Sequence, residues 1–324
     1  MHGFLDTAGE RLDLECALPW VSELIAEGSG GELRRGKTSN ASVRVRVEAG
    51  RHAFPTDGWE VLTRGAWRRA GEVVVEDACT AGFDLHVRCT PECAEFTYRW
   101  RPPPRDRVAS WLLRSRFHLL ARAVLMQYPP LWWAGLRGRA PLHASACSAG
   151  GSMPLVTAPS GIGRSTLILA ELQAGGEATG DNLVVGDGTT VWGLAEPLRV
   201  EGGLGRSMPH GRREVVMSGR VEALTPDSLV LLERRPADQL SLVPCAPAAA
   251  GRFLATSTYM AGELRRYWPF AATLAAGTGL GPAHPPVTDV ASGFAARLPS
   301  FSLSLEGRRG TPLSELLGSL EAVA

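Results

Sequence analysis

A chain of 324 residues is long for one hydrophobic core, so its length predicts two domains. The formal net charge of +1 provides no field that would attract nucleic acid or an anionic lipid surface, which excludes proteins that bind either one through bulk charge. The hydrophobic share of 44% and the charged share of 21% are ordinary for a soluble globular protein and argue against disorder.

The first third of the chain is predicted to be rich in β-strands. Residues 13–26 have the pattern of a short amphipathic helix, and the glycines at 28–31 end it. Valines then alternate with arginines over 43–47, which is the period of a half-exposed strand, and short strands follow at 71–78, 83–89 and 94–100. We therefore expect an antiparallel, β-rich N-terminal domain.

The proline run RPPPR at 101–105 is a stiff, extended break, and we place the domain boundary near residue 105. A helix of about five turns is predicted directly after it. From about residue 140 strands and helices alternate, and this order of elements is typical of an α/β nucleotide-binding domain. The predicted strands are 153–158, 182–186 and 228–235, and the predicted helices are 164–176 and a late helix over 257–276 that Pro269 interrupts.

Two stretches match or nearly match the phosphate-loop pattern G-x-x-x-x-G-K-[ST]. GELRRGKT, residues 31–38, matches every letter, but a predicted helix precedes it and a strand follows it. A phosphate loop needs the reverse order, because a strand must deliver the loop and a helix N-terminus must face the anion. We interpret GELRRGKT as a solvated turn.

APSGIGRST, residues 158–166, has the right context on both sides, since a strand precedes it and a helix follows it. Arg164 stands where the pattern has lysine; it keeps the charge but carries a wider, forked donor group. Ser165 or Thr166 would offer a hydroxyl to Mg²⁺ at the start of the helix. The predicted nucleotide-binding residues are Ala158, Pro159, Ser160, Gly161, Ile162, Gly163, Arg164, Ser165 and Thr166.

Residues 141–200 resemble the HPr serine kinase/phosphorylase family, and most of all its divergent members encoded beside ribosomally made, modified peptides such as lasso peptides. The resemblance is carried by His143-Ala144 before a strand, by the loop and helix that begin at Ala158, and by Asp181-Asn182 at the start of the next strand. It implies an α/β P-loop kinase domain of the type shared with phosphoenolpyruvate carboxykinases, over 106–324, preceded by a smaller β-rich domain over 1–105.

The resemblance also implies roles for individual residues. Asp181 corresponds to the carboxylate that orients or deprotonates the acceptor hydroxyl, and His143 to a histidine near the phosphates. Asn182 replaces the second acid of the family and Glu201 lies close to another metal ligand, so Mg²⁺ would be held by Ser165, Asn182 and Glu201. By itself, each residue also has a plainer interpretation, with Asp181 as a turn residue and His143 as a packed histidine.

The expected function is the ATP-dependent and Mg²⁺-dependent phosphorylation of a serine, or of a threonine, on a peptide or small protein. The alternative is an inactive pseudokinase that binds nucleotide or peptide, because Arg164 and Asn182 both depart from the family pattern. The N-terminal domain would serve recognition or oligomer contact. We expect a cytoplasmic protein that binds neither nucleic acid nor membrane, since the apolar stretch 119–136 contains Arg122, Gln127 and two prolines.

Overall fold

The computed structural model describes residues 1–202, 205–208, 211–234, 241–304 and 310–321, with backbone alone at 105, 109 and 318–321. The fold is mixed α/β and divides into two compact units. The first unit comprises Met1–Arg137 and Arg265–Pro285, and the second comprises Gly138–Leu264 and Pro286–Ala324. Within the described ranges, no helix is long and apolar enough to cross a membrane.

The elements are numbered here in chain order. The chain begins with β1 (His2–Thr7), β2 (Glu10–Cys16), α1 (Pro19–Gly28), β3 (Arg34–Arg35), β4 (Val43–Glu48), β5 (Glu60–Thr63), β6 (Ala66–Arg69), β7 (Glu72–Val75), β8 (Phe83–Cys89) and β9 (Ala94–Trp100). Next come α2 (Pro104–Leu112), α3 (Arg114–Arg122), a π-helical turn (Ala123–Gln127) and α4 (Tyr128–Gly135).

The second unit begins with β10 (Ala140–Leu142), β11 (Ala144–Ser148), β12 (Pro154–Thr157), α5 (Arg164–Gln173), β13 (Glu177–Ala178), β14 (Val184–Gly186), β15 (Val191–Gly193) and β16 (Leu198–Glu201). It goes on with β17 (Arg206–Ser207), β18 (Arg212–Val215), β19 (Ala223–Leu224), β20 (Ser228–Glu233), β21 (Ser241–Pro244) and α6 (Pro247–Tyr259). The chain ends with α7 (Tyr267–Thr278), α8 (Val287–Arg297), β22 (Ser300–Ser304) and α9 (Leu313–Glu321).

The first unit contains a sheet with strand order β3-β1-β2-β4-β9-β8-β7-β6-β5. This unit is rich in strands, but the purely antiparallel arrangement that the sequence predicts is wrong, since β4 lies parallel to both β2 and β9. The connection from β2 to β4 runs through α1, and such a crossover allows parallel pairing. Residues 13–16, predicted as helix, belong to β2, where Leu12, Leu14 and Cys16 are the buried, alternating positions.

The helical segment that follows β9 packs in the first unit. The hydroxyl of Tyr98, a fully buried β9 residue, donates to the carbonyl of Val124 at 2.7 Å. The first unit extends to Arg137, beyond the boundary near residue 105 that the sequence predicts, and the later part of this helical segment buries Val124, Leu125 and Leu131. The predicted five-turn helix is broken at Leu113 into α2 and α3.

The second unit is organised around a sheet with strand order β13-β11-β12-β20-β22-β21. The central strands β12, β20 and β22 are parallel, and a buried cluster that includes Val156, Ile168, Val230 and Leu303 packs α5 against them. The strands and helix predicted near 153–158, 164–176, 182–186 and 228–235 are confirmed as β12, α5, β14 and β20, with residue 235 outside the described residues. The predicted late helix is divided over 260–266 rather than at Pro269, which lies in the first turn of α7, where proline is tolerated.

GELRRGKT has the setting of a turn, as the sequence predicts. Its Arg34 and Arg35 form β3 against β1, and the exposed Gly36 turns the chain with a φ of +124°. The next regular element is β4, so this stretch leads to a strand and not to a helix.

We predict that Gly193→Ala destabilises the second unit strongly. A Cβ at Gly193 would lie 1.6 Å from the carbonyl oxygen of Thr179 and 2.4 Å from its carbonyl carbon, and neither backbone atom can move without shifting the segment that follows β13. The expected loss is about 3 kcal/mol or more in the free energy of unfolding, measured by urea titration.

Gly262→Ala is the matched control, because a Cβ there meets nothing within 4 Å. An equal loss in both variants would contradict the packing at Gly193.

Candidate functional site

The candidate site begins with a strand, a turn and a helix. Strand β12 ends at Thr157, and α5 begins at Arg164 after a turn in which Gly161 and Gly163 have φ values of +86° and +120°. A Cβ at either glycine would meet nothing within 4 Å, so the turn borders open space. The first N–H groups of α5 receive no side-chain cap. Free N–H groups at a helix N-terminus are suited to an anion.

The turn residues Pro159, Ser160 and Gly161 are exposed, and Ser165 and Thr166 are half-buried in the first turn of α5. This arrangement agrees with the predicted strand, loop and helix order. Nucleotide binding by these residues stays a prediction.

Arg164 does not follow the expected geometry of a phosphate-binding lysine. Its side chain is 6% exposed, and its guanidinium donates to three backbone carbonyls. The donor-to-acceptor distances are 2.8 Å to His143 O, 3.1 Å to Asp181 O and 3.1 Å to Asn182 O. Burial lowers the pKa of this guanidinium, and the carboxylate of Asp181 opposes that effect. In this structure Arg164 therefore joins chain segments, a task that the sequence did not predict.

Asp181 is fully buried beside the start of α5. Its Oδ2 accepts from the backbone N–H of Arg199 at 2.9 Å and from the side-chain amide of Asn182 at 3.2 Å. Among the described residues Oδ1 has no partner with hydrogen-bond geometry, although the Ser165 hydroxyl lies close enough to lower the pKa of this carboxyl. Burial dominates and raises that pKa, against the nearby charge of Arg164.

The two remaining predicted metal ligands lie in different surroundings. Asn182 is buried next to Asp181, and its backbone N–H faces Glu196 Oε1 at 3.4 Å. Glu201 is exposed at the end of β16, opposite Arg212 in the strand pair β16–β18. The structure thus brings Asn182 to Asp181 and leaves Glu201 at the surface.

His143 is 4% exposed and lies between β10 and β11. Its backbone N–H donates to Thr258 Oγ1 at 3.0 Å, and its carbonyl accepts from Arg164 and from Thr157 Oγ1. Burial first, and then the charges of Arg164 and Arg199, lower the pKa of the imidazole to about 2. Its Nδ1 is buried without a partner among the described residues. His143 is therefore a neutral, packed histidine beside the loop.

Sequence reasoning missed the ion pairs that surround Asp181. Arg199 Nη2 lies 3.2 Å from Glu196 Oε2, and Arg199 Nη1 lies 3.3 Å from Glu263 Oε1. Burial opposes the charge on Arg199, but these carboxylates raise its pKa overall. The opposite charges of EPLR at 196–199, set in an apolar stretch, were the available sequence signal for the pair of Arg199 with Glu196. Because Glu263 is distant in sequence from Arg199, no local pattern indicated their pair.

The side chains at the start of α5 suit a Mg²⁺ ion that is also bound by nucleotide phosphates, rather than one held by protein ligands alone. Within the described part of the chain, no group of three or more His, Cys, Asp or Glu side chains is arranged to hold a metal. Mg²⁺ usually keeps several waters and takes one or two protein ligands beside substrate phosphates. The Ser165 hydroxyl, next to the Asp181 carboxyl, meets that requirement.

Comparisons with known proteins add distant matches among solved structures. No family model and no curated protein matches the chain. The solved structure of the HPr(Ser) kinase/phosphatase from Coxiella burnetii aligns with a TM-score of 0.25 and 15% identity, over 33% of this chain and 77% of that chain. A match at this level carries no argument about activity, and the relationship to lasso-peptide kinases stays a prediction.

We predict that Arg164→Met lowers the free energy of unfolding by about 3 to 5 kcal/mol, because it leaves buried carbonyls and a buried carboxylate without their cation. Arg164→Lys should fall between this variant and the wild type, since an ammonium restores the charge but lacks the fork that reaches three acceptors. Urea titration measures both losses.

Wild-type stability in Arg164→Met would contradict the three hydrogen bonds. Arg252→Met is the control, because Arg252 is an exposed arginine of the same unit.

We predict that His143 makes stability fall in acid. The folded pKa of about 2 lies below the ordinary value of 6.5, so between them the unfolded chain binds a proton that the native state excludes. Stability is therefore complete above 6.5 and is lost as the pH falls towards 2, by up to about 1.4 kcal/mol per pH unit. His143→Gln should flatten this slope in urea titrations between about pH 7.5 and about pH 5.

Asp181 contributes with the opposite sign. Its raised pKa lets the native state take up a proton above the ordinary value of 3.8, but wild type and His143→Gln share this contribution. Parallel slopes in the two proteins would refute the assignment to His143.

Proposed function

We propose that the protein is an ATP-dependent kinase that transfers a phosphoryl group to a serine or threonine hydroxyl of a peptide or small protein. The observation that supports this most is the fully buried Asp181, whose Oδ1 has no partner among the described residues, beside Ser165 at the start of α5. A carboxylate next to an uncapped helix N-terminus and an open glycine turn supplies two parts that phosphoryl transfer uses, an acceptor for the hydroxyl proton and N–H donors for the phosphates.

In this proposal each part has one task. The N–H groups of the turn and of the first turn of α5 hold the phosphates, and Ser165, with Asn182 near it, holds Mg²⁺, which neutralises phosphate charge when bound with ATP. Asp181 Oδ1 orients the acceptor hydroxyl and accepts its proton. Because burial raises the pKa of Asp181, its carboxylate is a stronger base than an exposed one.

The acceptor is a peptide or small protein, and a ribosomally made precursor peptide is the candidate that the resemblance in residues 141–200 supports. The proposed setting is the cytoplasm, without a nucleic-acid or membrane partner and with a homo-oligomer as a possible form. These assignments rest on the sequence.

The second candidate is a pseudokinase that binds nucleotide or peptide without transferring phosphate. Two observations favour it. Arg164 is occupied by three carbonyls, and Asp181 is 0% exposed, so an acceptor hydroxyl reaches it only after the surrounding segment moves.

We predict that the purified protein, incubated with labelled ATP, Mg²⁺ and the precursor peptide encoded beside it, adds one phosphate to the peptide, and that Asp181→Asn lowers the rate by about a hundredfold or more while ATP binding persists. Mass spectrometry of the peptide and equilibrium dialysis of ATP measure the two properties separately.

Glu222→Gln is the matched control, since it neutralises an exposed carboxylate in the same unit. ATP binding without transfer in the wild type would favour the pseudokinase. Transfer that is unchanged in Asp181→Asn would remove Asp181 from the reaction.

A further inference from the structure

A cavity of about 690 Å³ lies in the first unit, and none of its lining residues belongs to the candidate site. Its lining comes from the ends of three strands: Leu18 follows β2, Glu48 to Arg51 end and follow β4, and Trp100 ends β9. These strands are parallel neighbours, so their carboxyl ends meet at one edge of the sheet. In open α/β sheets ligands bind outside the carboxyl ends of parallel strands, and ligand cavities commonly measure about 300 to 1,000 Å³.

The charges in this cavity leave two arginines available. Glu48 is paired with Arg99, at 2.8 Å between Oε2 and Nε, and Arg101 is paired with the buried Asp84. Arg51 and Arg107 are exposed, and no described carboxylate forms an ion pair with either one. This cavity is therefore suited to an anionic group.

A second cavity of about 360 Å³ shares Trp100 and Arg107 with the first. Its walls are aromatic: the ring centroids of Trp20 and Trp100 are 5.1 Å apart, and those of Trp100 and Phe117 are 5.3 Å apart. Trp111, also in the lining, is 79% exposed. An exposed tryptophan beside a packed aromatic wall is typical of a surface that binds a partner.

The second cavity is lined by both acidic and basic side chains, whereas the first has two arginines without an ion-pair partner among the described carboxylates. Glu23 and Glu27 line it together with Arg107 and Arg114, and Glu27 Oε2 lies 3.8 Å from the Nδ1 of His118. A ligand that spans both cavities therefore meets available arginines at one end and an apolar aromatic wall at the other. We name the two cavities together the Trp100 groove.

We propose that the Trp100 groove is a docking site for an extended peptide segment in which an acidic residue stands next to an aromatic or large aliphatic residue. The carboxylate binds Arg51 and Arg107, and the apolar side chain packs against Trp100 and Trp111. A nucleic acid is the poorer occupant, because Glu23, Glu27 and Glu48 line the same groove. Peptide binding in the groove does not depend on the proposed kinase activity. The identification of the bound peptide as the kinase's own acceptor, or as the leader of that acceptor, does rest on the proposed function.

The test selects immobilised random peptides of about twelve residues with the full chain, in the absence of ATP, and measures the selected peptides by fluorescence anisotropy. We expect selection of acidic-aromatic or acidic-aliphatic pairs. Arg51→Glu/Arg107→Glu and Trp111→Ala should each weaken binding about tenfold or more, the first more steeply at low salt. Thermal melts check that these exposed substitutions leave the fold intact.

Arg64→Glu is the matched control, an exposed arginine of the same unit outside the groove, and it should bind the peptides like wild type. Selected peptides that bind the groove variants as tightly as the wild type would overturn the proposal, as would selection without acidic residues. A change of mass in solution on Arg51→Glu/Arg107→Glu would assign the groove to a second copy of the chain instead.

Failure of this proposal is distinguishable from failure of the kinase. Asp181→Asn should bind the selected peptides with wild-type affinity, because its substitution lies in the other unit. Peptide binding without phosphoryl transfer leaves the groove standing and rejects the kinase. Phosphoryl transfer by the wild type, together with groove variants that bind the peptides normally, would support the kinase and reject the Trp100 groove.

Discussion

The guanidinium of Arg164 ties together the segments from which the candidate site is built. It extends from the first residue of α5 to the carbonyl of His143, which lies between two strands, and to the carbonyls of Asp181 and Asn182 beyond β13. Because the acceptors are distant in sequence from α5, this single side chain fixes where the open turn lies relative to Asp181. The uncapped helix end, the half-buried Ser165 and the buried carboxylate depend on that placement.

Burial, and then the charges around Arg164, explain why the neighbouring groups have their unusual pKa values. Two arginines lie close to the carboxylates of Asp181, Glu196 and Glu263, and all of these groups except Glu263 are buried. Burying charges costs free energy unless they are paired and hydrogen-bonded, so such a cluster is weak as a source of stability. It does fix one arrangement, and the charges of Arg164 and Arg199 add to burial in keeping His143 neutral.

The sequence predicts the parts of this site that are local. The strand before the loop, the helix after it and the turn character of GELRRGKT follow from periodicity and glycine placement, and they are present as β12, α5 and β3 with its turn. The bonds of Arg164 and the pair of Arg199 with Glu263 depend on contacts between distant segments, and no local pattern encodes those. The same reason explains β2, since a run such as LDLEC suits a strand or a helix until its neighbour is known.

The position of Arg164 also constrains how this site can bind phosphate. To contact an anion in the turn, the guanidinium would have to release buried carbonyls, and each unsatisfied acceptor costs about 1 to 3 kcal/mol. A lysine at the same position has no comparable set of bonds to lose, because its single ammonium cannot span three acceptors in the plane of a fork. A phosphate in this turn would therefore be bound by backbone N–H groups and the positive end of α5, and Arg164 would act through the backbone that it holds. The departure from the phosphate-loop pattern at this one residue thus exchanges a mobile cation for a structural tie.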